Sequence, residues 1–288
     1  MNKKFKFIIT LFVIILCASL MGCNLINPDE TIKQIELQNI INDINRLEVI
    51  SKNYNVENFN DRVLIYIRCK RYSTNQWNLL GGTLETDFES YVTTNQNGID
   101  LSYLQTKEFF VDPITMKNID FIHMFATMNL QLKNEMYGDL GGFGGDICQL
   151  VSDLSILDID NENDLINEAK TKFNGISSFG YEDVLADIDA VNIINVYNDL
   201  QNDKKLISKS IETYYSNLSQ KKRLSSFSNY LFGNTNLSAE DKCENVLNRL
   251  KSNILITKLC QTYNIDFEQN EKEFNICINL FVNYITNI

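Results

Sequence analysis

From about residue 119 to its C-terminus, the chain repeats apolar residues at the three-to-four spacing of an α-helix, broken only near residues 137–145, 161–163, 174–180, 233–236 and 263–266. Pro28 and Pro113 are the only prolines, so no residue inside that stretch is barred from a helix interior. Residues 31–52 (TIKQIELQNIINDINRLEVISK) carry the same period after a short polar segment at 24–30. One interval reads differently. Residues 63–68 (VLIYIR) and 77–80 (WNLL) are rich in branched and aromatic side chains, and Gly81-Gly82 ends the second run, as paired strands require. The expected fold class is mainly α with a minor antiparallel β element near residues 62–82. With 44% hydrophobic residues and no repeat, Ser/Gly linker or low-complexity tract, residues 31–288 can close over a sizeable core as a single helical domain.

Three lysines in MNKKFKF precede the apolar run IITLFVIILCASL, and MGC follows. The run is well short of the roughly 20 apolar residues of a membrane span and has the layout of a secretory signal. Leu20-Met21-Gly22-Cys23 resembles the lipobox of bacterial lipoproteins. The resemblance implies a diacylglycerol on Cys23, removal of residues 1–22, and residues 23–30 as the lipidated tether of an extracytoplasmic, membrane-anchored domain. Loss of Lys3, Lys4 and Lys6 takes the formal net charge from −11 to −14. So acidic a surface repels nucleic acid, which is excluded as a partner, and also anionic headgroups, which leaves the lipid as the hold on the membrane.

Cys69, Cys148, Cys243, Cys260 and Cys277 then remain, an odd number, so at least one thiol stays unpaired. Their apolar helical contexts make them core residues first and a disulfide pair second, since a chain this long does not need staples. There is no CxxC and a single histidine, so neither a metal site nor a cofactor is expected from spacing.

The acids are the informative part. On a helical wheel, the segment FGYEDVLADIDAVNI places Tyr181, Val184, Leu185, Ile188 and Val191 on one apolar face and Ala186, Ala190, Ile193 and Ile194 on another. Asp183 and Asp187 share one flank between those faces, and Glu182 and Asp189 share the other. A helix apolar on two sides is packed on two sides, and its flanks become narrow slots in which carboxylates need partners. Like charges four residues apart cost about 0.2–0.5 kcal/mol even when exposed. Charge placement near the positive end of a helix starting near Ser178 accounts for Glu182 and Asp183 without any function; a paired-carboxylate site for acid/base work or for a cation is the functional account.

A second helix, IDFIHMFATMNLQLKN, is apolar around most of its circumference, with one polar stripe of Asp120, His123, Thr127, Gln131 and Asn134. Asp120 stands three residues before His123, within reach to orient its ring. Between the two helices, YGDLGGFGGDICQL has five glycines in eight residues before Asp146, which is expected to cap a helix starting at Ile147 for about 1 kcal/mol. No phosphate loop is present. Cys148 paired with His123 as a nucleophile has no motif behind it, and LDIDNENDL lacks the glycine and final glutamate of a calcium loop.

The reading these features support is a lipid-anchored envelope protein in which a cleft lined by His123, Asp146, Asp183, Asp187 and Asp189 hydrolyses an envelope glycan through paired carboxylates, chemistry that needs no cofactor. The rival is a non-enzymatic helical adhesin or binding lipoprotein whose acidic surface selects a partner. The missing βαβ alternation argues against a two-lobed solute-binding protein. Because acylation uses the thiol, Cys23→Ser is expected to abolish fatty-acid labelling and cleavage before residue 23; a labelled variant would contradict the lipobox reading.

Overall fold

In the computed structural model the described residues are 28–53, 63–64, 67, 102–132, 140–157, 159–174, 181–201, 205–233 and 236–286. Cys23, the expected signal segment and Cys69 lie outside them. Among the described residues the chain is mostly helical with one two-stranded antiparallel sheet, as its periodicity implies. Helix α1 (Pro28–Asn53) begins inside the expected tether, because Pro at the first helical position gives up only an N–H that would be unpaired there anyway. A short α2 (Ser102–Thr106) leads into β1 (Phe109–Val111) and β2 (Asn118–Asp120), which pair with Phe110 opposite Ile119. The described sheet therefore lies at residues 109–120. Val63, Leu64 and Ile67 are helical and buried, and the rest of the 62–82 interval lies outside the described residues. Apolar runs of that length serve a buried helix as well as a strand.

Nine further helices of eight or more residues follow among the described residues: α3 (Phe121–Leu132), α4 (Gly141–Ser155), α5 (Glu162–Asn174), α6 (Tyr181–Asp199), α7 (Ile207–Ser216), α8 (Gln220–Phe232), α9 (Ala239–Ser252), α10 (Ile254–Tyr263) and α11 (Glu271–Thr286). No helix among the described residues is long and apolar enough to cross a membrane. From Gly141 onward the glycine-rich stretch is helical: α4 starts there, behind Leu140 in the left-handed conformation. Close packing offsets the low helix propensity, since a Cβ on Gly142 would meet Thr127 Oγ1 at 2.5 Å and one on Gly144 would meet Ile256 Cδ1 at 2.5 Å. Of the LDIDNENDL acids, Glu162 and Asp164 stand in the first turn of α5, where its positive end favours them.

Two apolar cores form, and α6 belongs to both. Val184, Ile188 and Val191 pack with Phe143, Phe227 and Phe281 of α4, α8 and α11. Leu185, Ala186, Ala190, Ile193 and Ile194 pack with Ile44, Phe110 and Phe125 of α1, β1 and α3. Two-sided burial is therefore as the wheel implied, with Leu185 moved to the second side.

Two buried polar constructions tie the outer elements to this frame. Leu206 precedes α7 without a capping side chain, and Glu48 of α1 supplies the acceptors instead, taking hydrogen bonds from Ile207 N (2.6 Å), Ser208 N (3.1 Å) and Ser208 Oγ (2.5 Å). Arg223 of α8 is fully buried. It donates to both oxygens of Asp112 at 2.9 and 2.8 Å and reaches Asp189 at 3.0 Å through Nη2 and 2.8 Å from Nε. Asp112 also closes the β1–β2 turn by accepting from Ile114 N, Thr115 N and the Thr115 hydroxyl. Burial alone would push the Asp112 carboxyl up, but the Arg223 hydrogen bonds and charge outweigh it and hold it below its ordinary 3.8.

Arg223→Met is expected to cost about 3–5 kcal/mol in a urea titration at neutral pH, because it leaves Asp112 and Asp189 buried without their cation. The sign with pH follows from the depressed value: the Asp112 contribution is present above 3.8 and is lost as the pH falls through the folded-state pKa. The deficit of the variant is therefore expected to shrink in acid.

Candidate functional site

Asp120 ends β2 and its Oδ1 accepts from His123 N at 2.9 Å, which caps α3 rather than orienting the imidazole. From that fixed start, His123 and Thr127 lie one turn apart on the face of α3 that packs along α6. Helix α4 crosses next to them. Gly142 lets it approach Thr127, and one turn further along, Asp146 enters the same space. Asp146 is thus an interior residue of α4, not the cap of a helix starting at Ile147.

Three helices consequently aim ionisable groups at one point. His123 Nε2 lies 3.1 Å from Asp187 Oδ1 and 3.3 Å from Asp146 Oδ2, and Nδ1 lies 3.9 Å from Asp183 Oδ1. Thr127 Oγ1 donates to Asp187 Oδ1 at 2.6 Å. His123, Asp146 and Asp187 are 8%, 6% and 1% exposed, and each offers a ligand atom within 4.8 Å of the others. Nε2 has one in-plane direction to give, as a hydrogen or as a lone pair, yet two carboxylates share it. The consequence is a shortage of partners: Asp146 Oδ2 stands near Nε2 without hydrogen-bond geometry, and Asp187 Oδ2 is buried without any hydrogen bond.

The charges respond accordingly. Burial by itself would depress the imidazole, but Asp146 and Asp187 outweigh it and hold His123 well above the ordinary histidine value. Burial pushes the Asp146 carboxyl well above the usual carboxylate range, the nearby Asp187 and Asp183 add to this, and the attraction of His123 opposes it.

Four of the five residues nominated from sequence therefore converge. Asp189 does not. It points from the opposite flank of α6 into the Arg223 network, where Tyr214 and Tyr215 donate to it at 2.5 and 2.6 Å. Cys148 faces Cys260, not His123, so the Cys/His nucleophile has no geometry behind it. Thr127 was visible only as part of the polar stripe, and Arg223 was overlooked. Its signal was its position four residues before Phe227, on the apolar face of α8.

Residues 125–287 match the family described as YkzU uncharacterised protein. The matched span contains Asp146, Asp183 and Asp187 and begins two residues after His123. Neither a curated protein nor a solved structure matches the chain.

A Cβ on Gly142 would also stand 2.6 Å from Thr127 Cγ2 and 3.0 Å from its Cβ, so no rotation of the threonine relieves the contact. Gly142→Ala is expected to push Thr127 off Asp187 and cost roughly 1–3 kcal/mol. Thr127→Ala in the same chain should recover part of the loss, read as a favourable coupling in a double-mutant cycle. Strict additivity would show that the two residues do not meet.

Proposed function

We propose that this chain, which belongs to the YkzU family, is a lipid-anchored protein of the bacterial cell envelope whose core binds a divalent transition-metal cation through His123 Nε2 and one oxygen each of Asp146 and Asp187. The observation that carries the reading is the pair of buried carboxylate oxygens, Asp146 Oδ2 and Asp187 Oδ2, that find no hydrogen-bond donor beside a ring nitrogen able to satisfy only one neighbour. A cation between the three groups would take the lone pair of neutral Nε2 and both oxygens at once, and would offset the repulsion from Asp187 that adds to the effect of burial on Asp146. One imidazole and two carboxylates suit zinc, manganese or iron better than calcium, which takes six to eight oxygens. Three protein ligands leave a further position for water.

The surroundings supply what such a centre needs. Thr127 holds the Asp187 carboxylate, and Asp183 stands 3.9 Å from Nδ1, on the far side of the ring from the ligand atoms, where its charge favours a proton on Nδ1 and leaves Nε2 to the metal. Glycan hydrolysis through paired carboxylates is the weaker reading of this geometry, because a polymer must bring its scissile bond to both carboxyl groups and these are 6% and 1% exposed, whereas a single ion needs no groove. The anchor rests on the basic start, the apolar run and Leu20-Met21-Gly22-Cys23. The acidic surface, formally −14 once residues 1–22 are removed, concentrates cations around the protein.

The test strips the purified protein with a chelator and titrates it with Zn²⁺ and Mn²⁺ separately, following heat, bound metal by mass spectrometry and the melting temperature. One equivalent is expected to bind and to raise the melting temperature, since the folded state alone holds the site. Asp187→Asn and His123→Ala should lose binding, whereas Thr127→Val should weaken it about 10- to 100-fold, the usual scale for the support of a ligand. A wild type that binds neither ion better than Asp187→Asn would reduce the cluster to a structural imidazolium triad.

A further inference from the structure

Cys148 and Cys260 are the other pair of reactive groups that the helix packing brings together, and they bear on α4, the helix that carries Asp146. Both are thiols, 0% and 4% exposed, with 3.5 Å between their sulfurs. The approach is not incidental to one rotamer. Gly144 lies one turn before Cys148 on α4, and Ile256 lies one turn before Cys260 on α10; the space left by the missing Cβ of Gly144 receives Ile256. The two backbones therefore run close at the level where the cysteines face each other. Gly145 adds a second near contact with Leu259. The two other described cysteines are placed differently: Cys243 donates to Asn279 Oδ1 at 2.9 Å, and Cys277 is enclosed on α11.

We infer that Cys148 and Cys260 form an intramolecular disulfide clipping α4 to α10 when the chain meets a thiol-oxidising disulfide. The bond forms by two exchanges. One cysteine thiolate attacks a sulfur of a small disulfide such as oxidised glutathione and expels a glutathione thiolate. The second cysteine then attacks the resulting mixed disulfide and expels the other. Two protein sulfurs are oxidised, one glutathione disulfide is reduced to two thiols, and the two cysteine protons end on the departing thiolates. Closing the gap to about 2.05 Å needs a turn of the two side chains and a small approach of helices already in contact. The clip holds α4 in the register that places Asp146 beside His123, and it joins residues 112 positions apart, so it removes a large loop from the unfolded ensemble.

The experiment uses the full chain, reduced and then equilibrated in a glutathione redox buffer, quenched in acid, alkylated under denaturing conditions and mapped by mass spectrometry. The expected product lacks about 2 Da relative to the reduced chain and yields a cross-linked peptide pair containing Cys148 and Cys260, with Cys243 and Cys277 alkylated. Its denaturant midpoint should lie above that of the reduced chain. Cys260→Ser in the same buffer should leave Cys148 alkylatable. Cys148 and Cys260 both alkylated across all buffers, or a cross-link joining a different pair, would overturn the inference. Because the buffer is defined and no metal is added, either result stands apart from the envelope and cation readings.

Discussion

Helix α6 has to bury apolar side chains on two opposite sides, and most of the architecture follows from that demand. Its Val184, Ile188 and Val191 serve one core and its Ala186, Ala190 and Ile193 the other, so no broad solvent face is left on which to place its acids. Asp187 and Asp189 are consequently 1% and 0% exposed, and each must be met by whatever helix covers its slot. An uncompensated buried carboxylate costs several kcal/mol. That cost selects the partners: α3 arrives with His123 and Thr127, α4 with Asp146, α8 with Arg223, and α7 with two tyrosine hydroxyls.

How far this was readable from the chain depended on whether a residue's role was local. The helical period survived because a stripe of apolar residues needs only neighbours in sequence, and the two-sided wheel of α6 separated Asp183 and Asp187 from Asp189 onto different flanks. What the wheel could not say is that the flanks open onto different networks, since that depends on Arg223, 34 residues away. In QKKRLSSFSNYLF the arginine looks like one more surface base, and only its registration with Phe227 distinguishes it from Lys221 and Lys222. The turn after β1 was legible in retrospect: Asp112 before Pro113, with Thr115 three residues on, is the arrangement in which an aspartate accepts from the backbone ahead of it.

The glycine-rich segment misled for a physical reason. Gly has the poorest helix propensity of any residue except proline, so five in eight residues read as a turn. In the folded protein, Gly142 and Gly144 are instead contact positions, one accepting Thr127 and the other Ile256. The loss in propensity is offset by the apolar area that close helix packing removes from water. That packing moves the start of α4 five residues upstream of Asp146 and turns a presumed cap into an inward-facing group.

The two carboxylate clusters on α6 differ in their hydrogen-bond count, and the difference explains why one reads as structural and the other as a binding centre. Arg223 brings five N–H groups in a fixed fork, and with Tyr214, Tyr215 and the Thr115 turn it covers all four oxygens of Asp112 and Asp189. The opposite slot holds the buried carboxylates of Asp146 and Asp187, with Asp183 at its edge, and the donors that face those two among the described residues are the Thr127 hydroxyl and one ring nitrogen of His123. Protonating Asp146 supplies one more donor and matches the direction in which burial pushes it, while Asp187 Oδ2 has no hydrogen-bond partner among the described residues. A group that accepts from several oxygens and a nitrogen at once, without needing the angular alignment of an N–H bond, is what that geometry lacks. A metal cation has that property, whereas a second imidazole or a water offers only two directed donors.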